Sequence, residues 1–171
     1  MKITSFAPVI GSRVKVIILG SMPGRASLEA NQYYAHARNA FWPIIGAIAG
    51  FSPTAPYLHR LDALKQSGIA LWDVLHSCKR PGSADSDIIS GTRIANDFER
   101  LFSDHPEIEL VCFNGSEAEK SFNRFVLRTL NLREIDYLRL PSTSPAYAAL
   151  SQEKKLEIWR AAIESRLIRS V

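Results

Sequence analysis

The chain has 171 residues, which is enough for one domain with a single sizeable core and too few for two ordinary domains. Hydrophobic residues make up 46% of it and charged residues 22%, as is normal for a soluble globular protein. The formal net charge of +4 favours anionic partners such as nucleic acid but does not establish one. We therefore expect one domain over residues 1–171.

The cysteines exclude several kinds of metal site. Cys78 and Cys112 form no C-x-x-C pair, no cysteine–histidine cluster has zinc-finger spacing, and two thiolates are too few for an ordinary iron–sulfur cluster. We expect reduced thiols in a cytoplasmic protein without a bound metal. The apolar run from Val16 to Leu19 is too short for a signal-peptide core or a membrane span, so no membrane association is expected.

Strands and helices are predicted to alternate along the chain. The β-branched run VKVIILG, residues 14–20, predicts a strand buried on both faces, and IALWDVL, residues 69–75, predicts a second. Further strands are predicted in IELVCFNG, residues 108–115, and in IDYLRL, residues 135–140. The segment HSCKRPGSADSD, residues 76–87, is predicted to be a polar loop.

Helices are predicted between and after these strands. NAFWPIIGAIAG, residues 39–50, and LHRLDALKQSG, residues 58–68, both end on a glycine. Apolar residues recur at helical spacing over residues 92–102, and Ser116 is a plausible N-cap for the next helix. The final helix is predicted to turn four apolar side chains inward: Leu156, Trp159, Ile163 and Leu167.

This alternation predicts an α/β protein, a three-layer α/β/α sandwich with a central, mostly parallel four-stranded sheet. Ligands of such folds bind outside the carboxyl ends of the strands. The four predicted strands end in GSMPG, WDV, FNGS and LPSTSP. We expect these segments to converge on one crevice.

Two strand ends have the composition of ligand-binding turns. GSMPG, residues 20–24, is a tight turn that exposes backbone amides, although it matches neither the dinucleotide-binding fingerprint nor the P-loop. LPSTSPAYA, residues 140–148, brackets three hydroxyl side chains with two prolines, and such a stiff loop can hold phosphate oxygens. A structural turn and a plain connection to the last helix stay open as alternatives.

Polar side chains also stand in otherwise apolar surroundings. Asp73 in ALWDVL needs a partner, which can be a helix end, an arginine or a ligand N–H in the crevice. Asn114 in FNGS can donate and accept hydrogen bonds, as base recognition requires, but Asn before Gly also suits a simple turn. The segment NQYYAHARNAFW, residues 31–42, mixes aromatic and hydrogen-bonding side chains. A core helix would not need the polar residues, and a solvated loop would not need the rings.

Three stretches together resemble the uracil-DNA glycosylase superfamily, and most of all its hypoxanthine-DNA glycosylase branch. They are GSMPGRASLEANQYYAHARNAFW, GIALWDVLHSCKRPGSADSDI and LPSTSPAYA, and the resemblance covers residues 14–148. It implies a uracil-DNA glycosylase-like fold and a DNA repair enzyme that flips a deaminated base, most readily hypoxanthine, out of double-stranded DNA. Such a monofunctional glycosylase hydrolyses the N-glycosidic bond and leaves an abasic site. It is expected to act as a monomer in the cytoplasm, associated with the nucleoid, and to need no cofactor because the reaction requires only water.

The chain departs from other branches at two positions. Those branches carry Asp or Asn at the site of Met22, where it positions the attacking water, and often His or Asn at the site of Leu140. Uracil excision of the usual kind is therefore not expected. The resemblance implies that Asn39 is catalytic, either orienting the water or donating to the leaving base, with His36 as a second candidate.

The remaining implied site residues bind the base or the DNA backbone. Phe41, with Tyr33 or Tyr34 nearby, is the expected stacking platform, while Asp73 accepts from N1–H of hypoxanthine and Asn114 donates to O6 or N7. The base-binding group is Gly20, Ser21, Met22, Phe41, Asp73 and Asn114. The DNA-binding group is Arg38, Pro141, Ser142, Thr143, Ser144, Pro145 and Tyr147.

Two other functions stay open. The same sheet can serve a nucleoside or nucleotide hydrolase, in which GSMPG contacts a free phosphate. The chain can also be a non-catalytic module that binds damaged DNA, and Met22 is the feature that favours this alternative. Hypoxanthine, xanthine and uracil all remain open as the excised base.

Overall fold

The computed structural model of the protein describes residues 1–130 and 134–168. Its centre is a four-stranded parallel sheet in the order β3-β2-β6-β7. In chain order, the strands are β1 (Lys2–Thr4), β2 (Val16–Gly20), β3 (Ile69–Asp73), β4 (Leu75–Lys79), β5 (Ile94–Ala95), β6 (Leu110–Asn114) and β7 (Asp136–Leu140). The four predicted strands correspond to β2, β3, β6 and β7, so the expected parallel sheet is confirmed.

Helices cover both faces of this sheet. They are α1 (Arg25–Ala30), α2 (Phe41–Ala49), α3 (Tyr57–Gln66), α4 (Phe98–Asp104), α5 (Ser116–Phe125) and α6 (Gln152–Ile163). Because side chains alternate between the faces of a strand, Ile17 and Leu19 pack in one apolar cluster with α4 and α5, whereas Val16 and Ile18 pack in another with α2, α3 and α6. The predicted three layers and the helices α2 and α3 are thereby confirmed.

None of the helices in the described part of the chain has both the length and the apolar character that crossing a membrane requires.

A second, antiparallel sheet in the order β1-β4-β5 was not expected from the sequence. The predicted strand over residues 69–75 ends at Asp73, and after Val74 the chain enters β4, which belongs to the second sheet. The prediction of a polar loop from His76 was therefore wrong for its first four residues. His76 and Lys79 are exposed while Ser77 and Cys78 are buried, so β4 lacks the continuous apolar run that marked the central strands.

Two predicted helix starts also differ from the structure. The helix expected over residues 92–102 begins at Phe98, with the Asp97 carboxylate accepting from the Arg100 amide, and Ile94–Ala95 form β5 instead. The N-cap of α5 is Gly115 rather than Ser116. Gly115 has a φ of +95°, and a Cβ there would lie 3.1 Å from Ser142 Cβ, so glycine lets the loop after β7 approach.

The last helix ends earlier than the apolar pattern suggests. Trp159 and Ile163 are fully buried and Leu156 packs beside them, as predicted. Leu167 lies beyond α6, after a single turn of 3₁₀ helix, and still packs against the same cluster. The inward direction of the pattern was right, but the helix itself stops at Ile163.

Candidate active site

A cavity of about 580 Å³ opens at the carboxyl edge of the parallel sheet. The loops that follow β2, β4 and β7 contribute to its wall, as do Asp73 at the end of β3 and Asn114 at the end of β6. Its lining residues are Phe6, 20–24, Ser27, Tyr33, Tyr34, His36, Asn39, Asp73, 83–86, Asn114 and 142–147. The strand ends that the sequence predicted to converge therefore meet around one cavity.

The GSMPG turn forms the closed end of this cavity. A Cβ built on Gly20 would lie 2.6 Å from Asp73 Oδ1 and 3.4 Å from the Tyr34 hydroxyl oxygen. Only a glycine leaves room for both polar groups against the end of β2. Met22, two residues further on, is buried in the core and also lines the cavity, but its thioether is at best a weak hydrogen-bond acceptor.

Asp73 is the carboxylate at this closed end. The residue is only 5% exposed, and its Oδ2 has no hydrogen-bond partner among the described residues. Burial, followed by the negative charge of Asp85, raises the pKa of Asp73 to about 7, against the opposing effect of Arg80. A buried carboxylate oxygen without a partner destabilises the folded protein, so Oδ2 would be stabilised by a hydrogen bond from a ligand N–H.

Asn39 lies at the end of the aromatic-rich segment, where α2 begins. Its Oδ1 accepts from the Phe41 amide at 3.0 Å, a local bond that satisfies the first amide of α2, while the N-cap residue itself is Ala40. This assignment fixes the orientation of the amide and leaves Nδ2, a donor, as the group that Asn39 can offer. Asn39 lines the cavity and is half-buried.

His36 also lines the cavity but is exposed. Its Nδ1 accepts from the Arg38 amide at 3.1 Å, and its carbonyl oxygen accepts from the Asn39 amide at 2.8 Å. These two bonds organise the turn before Asn39, and Nδ1 is engaged as an acceptor.

Asn114 braces the loop after β7. Its Nδ2 donates to Thr143 Oγ1 and its Oδ1 accepts from the Thr143 amide, both at 2.9 Å. Its side chain also lowers the pKa of Tyr34, against the larger effect of burial, so it lies near the Tyr34 hydroxyl. The Thr143 carbonyl in turn accepts from the Ala40 amide at 3.0 Å. The Asn114 amide that was expected to donate to a base therefore already donates to Thr143.

The aromatic residues of the segment fall into two groups. Trp42 is a core residue whose Nε1 donates to the Tyr33 carbonyl, and the Tyr33 hydroxyl donates to the Ala7 carbonyl. Phe41 is fully buried, and the Tyr34 ring stacks on it with a centroid distance of 3.9 Å. Tyr34 lines the cavity and Phe41 does not. The ring available for stacking is therefore that of Tyr34, which covers the expected ring of Phe41.

Tyr34 is held in an unusual conformation. Its φ is +54°, in the left-handed region that a bulky residue rarely adopts, which indicates that the surroundings impose the position. Burial, and then the charge of Asp73, raise the pKa of Tyr34, so its hydroxyl is protonated at neutral pH. The fixed ring makes a rigid aromatic wall beside the Asp73 carboxylate.

The loop after β4 contributes residues that sequence reasoning did not single out. Asp85 accepts from the Ser21 hydroxyl at 2.7 Å, and Ser83 accepts from the Arg25 amide at 3.0 Å. Arg80 is buried and donates from Nη2 to the Pro23 carbonyl. The sequence signal for this loop was the acidic pair in ADSD, which is also typical of a solvated loop. Its contacts with GSMPG are visible only in the structure.

The predicted DNA-binding residues lie mostly at the open rim. Residues 142–147 line the cavity, with Tyr147 40% exposed and its carbonyl accepting from Lys155 Nζ at 2.7 Å. The Pro141 carbonyl accepts from Trp159 Nε1 at 2.9 Å, which ties the start of this loop to α6. Arg38 is exposed on the turn that carries Asn39.

The described residues hold no group of three or more histidine, cysteine, aspartate or glutamate side chains arranged as metal ligands. What the cavity offers instead is a buried carboxylate, an aromatic wall, an amide donor and a rim of hydroxyl groups. These features place the chain among α/β domains with a cavity at the carboxyl edge of a parallel sheet, and they suit a planar, hydrogen-bonding ligand.

Comparison with known proteins identifies the family. The model of the uracil DNA glycosylase superfamily matches residues 8–164, so the chain belongs to that superfamily. The chain is 35% identical over 157 residues to a hypoxanthine DNA glycosylase of Methanosarcina acetivorans, covering 91% of this chain and 94% of the relative. It is 40% identical over 119 residues to a hypoxanthine DNA glycosylase of Methanosarcina barkeri, covering 69% of this chain and 74% of the relative.

A solved structure supports the same assignment. The solution NMR structure of a Methanosarcina acetivorans protein, assigned provisionally as a uracil DNA glycosylase, superimposes with a TM-score of 0.77 and is 31% identical. The match covers 95% of this chain and 99% of the other. The expected uracil-DNA glycosylase-like fold is thereby confirmed.

Proposed function

We propose that this protein is a monofunctional DNA glycosylase that excises hypoxanthine from deoxyinosine in double-stranded DNA and leaves an abasic site. The observation that carries the proposal is the buried Asp73 carboxylate, whose Oδ2 lacks a partner among the described residues and which lines the cavity beside the rigid ring of Tyr34. The names of the two Methanosarcina relatives support the choice of hypoxanthine.

The base is recognised at the closed end. Hypoxanthine carries N1–H, a donor that matches the free acceptor of Asp73. Adenine has a bare nitrogen at that position, which the carboxylate repels, so the same group rejects the undamaged base. The flipped base stacks on Tyr34, which Phe41 supports from behind, and recovers part of the unstacking energy. Gly20, Ser21 and Met22 form the adjoining wall, and Asn114 keeps Tyr34 and Thr143 in place.

Asn39 stabilises the departing base. Negative charge grows on the base as the glycosidic bond breaks, and a fixed N–H donor lowers the barrier. Because its Oδ1 is held by α2, Asn39 presents Nδ2, which suits donation to the base better than orientation of a water. His36 holds the turn that carries Asn39 and contributes to catalysis through this positioning.

The rim binds the DNA backbone. Arg38 and the hydroxyl groups of Ser142 and Ser144 hold the flanking phosphates, while Pro141 and Thr143 fix the path of the loop. Pro145 and Tyr147 are exposed at the rim and enter the gap that the flipped nucleotide leaves. The protein acts on DNA as a monomer, associated with the nucleoid.

The proposal is tested with duplexes that hold one deoxyinosine, deoxyxanthosine or deoxyuridine. Alkaline cleavage after incubation reveals abasic sites, and we expect the strongest cleavage at deoxyinosine. Free deoxyinosine monophosphate serves as a parallel substrate, because its hydrolysis would indicate a nucleotide hydrolase. Tight binding to deoxyinosine DNA with no base release under prolonged single-turnover conditions would instead indicate a binding module and refute the proposed activity.

A further inference from the structure

Two carboxylates line the cavity, and only one of them faces the base in the proposed function. Asp73 stands at the end of β3, whereas Asp85 begins a short 3₁₀ turn in the loop after β4. They are close enough for the charge of Asp85 to raise the pKa of Asp73. The second carboxylate therefore needs an explanation of its own.

Asp85 is held against the GSMPG turn. Its Oδ1 accepts from the Ser21 hydroxyl at 2.7 Å, and Ser21 is itself buried. Two more bonds fasten the loop here, one from Arg80 Nη2 to the Pro23 carbonyl and one from the Arg25 amide to the Ser83 hydroxyl oxygen. The carboxylate therefore lies beside Ser21, the residue before Met22. It comes from a segment 64 residues away in the chain.

The proposed reaction needs such a group. Hydrolysis of a glycosidic bond passes through an oxocarbenium-like state, in which the sugar is positively charged and a water must lose a proton. Among the described residues of the cavity, the Met22 thioether and the Asn39 amide cannot take that proton, and His36 is exposed with Nδ1 engaged. A carboxylate can do so, and its charge also stabilises the cation.

The surroundings of Asp85 suit a general base. Burial raises the pKa of Asp85. The hydrogen bond from Ser21 lowers this pKa, and the negative charge of Glu117 on α5 raises it. Arg80 and Arg93 oppose this effect, and Arg93 itself pairs with Glu117 at 3.3 Å. Partial burial among these opposed charges makes the carboxylate more basic than one in water while the two arginines keep it ionisable.

We propose that Asp85 is the catalytic carboxylate of this site, which binds the attacking water and faces the cationic sugar; this inference rests on the proposed glycosylase function. The water oxygen bonds to C1′ of the sugar while the C1′–N9 bond breaks, and the bonding electron pair stays on the base. The proton of the water passes to Asp85 and from there to solvent, and the base anion takes up a proton in its place.

The first test compares Asp85→Asn with the wild-type protein on duplex DNA containing deoxyinosine. The single-turnover excision rate should fall by about 100-fold to 10,000-fold, as expected when a general base is removed, while affinity for the lesion DNA changes little. Asp87→Asn is the matched control, because Asp87 lies two residues away, is exposed and is not one of the residues lining the cavity. It should retain the wild-type rate, and thermal melting should show all three proteins folded.

A second measurement does not depend on turnover. Duplexes carry either a cationic pyrrolidine or a neutral tetrahydrofuran in place of the abasic sugar. Wild type and Asp87→Asn should prefer the cationic analogue, and Asp85→Asn should lose at least about 10-fold of that preference, because its neutral amide no longer faces the cation.

The outcomes separate this inference from the proposed function. A wild-type protein that releases no base refutes the glycosylase activity, and the role of Asp85 falls with it. An active wild type whose Asp85→Asn variant keeps both its rate and its analogue preference refutes only the role of Asp85. Loss of both in a folded variant supports it.

Discussion

The closed end and the open rim of the cavity use polar groups in opposite ways. At the closed end the Asp73 carboxylate is buried, and Asn114 is bonded to Thr143 by both its oxygen and its nitrogen. At the rim, Arg38 and Tyr147 are exposed. Buried polar groups discriminate strongly because a mismatched ligand leaves them without a partner, whereas exposed groups exchange their bonds with water at little cost. The difference predicts that inner substitutions affect excision and rim substitutions affect DNA affinity.

Among the residues proposed to contact the base, the largest effect is expected at Asn39. Asn39→Ala should reduce single-turnover excision of hypoxanthine by about 100-fold to 1,000-fold, as for other lost donors to a developing anion, with lesion DNA still bound. It also removes the hydrogen bond to the Phe41 amide, which costs about 1 kcal/mol of stability. Asn39→Asp keeps an oxygen for the Phe41 amide but lacks the N–H donor, so it should melt like wild type and still excise poorly. Unchanged excision in both variants would remove Asn39 from the mechanism.

The next effect concerns the pH dependence of Asp73. Accepting from N1–H requires the ionised form, so excision should rise as pH increases through the pKa of Asp73, about 7. Asp73→Asn should excise more slowly above this pH, by roughly 10-fold to 100-fold for a lost charge-assisted bond, and its profile should lose this acidic limb. A wild-type rate independent of pH from 5.5 to 8.5 would contradict the assignment (both limits lie about 1.5 units from the pKa).

The raised pKa of Asp73 also makes the stability of the protein depend on pH. Its pKa is higher in the folded protein, about 7, than the reference value of 3.8, so its ionisation opposes folding. The free energy of unfolding should therefore decline as pH rises between these two values and level off above them. Asp73→Asn should lose that decline, which is on the order of a few kcal/mol, and denaturant titrations at pH 5 and pH 8 would measure it. A parallel decline in the variant would point to other groups.

The effect expected at the aromatic wall overlaps that at Asp73 and extends to smaller values. Tyr34→Ala removes the surface on which the base stacks, and excision should fall by about 5-fold to 150-fold, corresponding to about 1–3 kcal/mol per stacked base. Tyr34→Phe keeps the ring and should retain most of the rate. If Tyr34→Ala instead excises faster, the ring blocks the site in the free protein and the base stacks on Phe41.

The smallest effect is expected at the rim. Arg38→Ala should weaken DNA binding about equally with and without the lesion and reduce the salt dependence of binding by about one phosphate contact. Excision at saturating protein should be unchanged. Arg13→Ala is the matched control, because Arg13 is also exposed but precedes β2, at the opposite edge of the sheet. Equal losses of affinity in both variants would mean that Arg38 contributes only net charge.

Much of the fold was predictable because burial leaves a local pattern. The continuous apolar runs of β2, β3 and β6 marked strands covered on both sides, and the glycines that end α2 and α3 marked the ends of helices. The antiparallel sheet escaped prediction because β4 has neither a continuous apolar run nor a regular alternation of buried and exposed residues, and β5 has only two residues. Short strands on a half-exposed surface carry too little periodic signal to be separated from loops.

Hydrophobic periodicity specifies an α/β domain with polar residues at its strand ends, because it records which face of each element is buried. Three contacts depend on the complete fold: the Tyr34 ring on Phe41, the Asn39 carbonyl on α2, and Asp85 against Ser21. Two side chains become partners only where the backbone paths of both segments bring them together. Residues 21 and 85 have no local pattern in common, and the folded sheet alone brings them within a hydrogen bond.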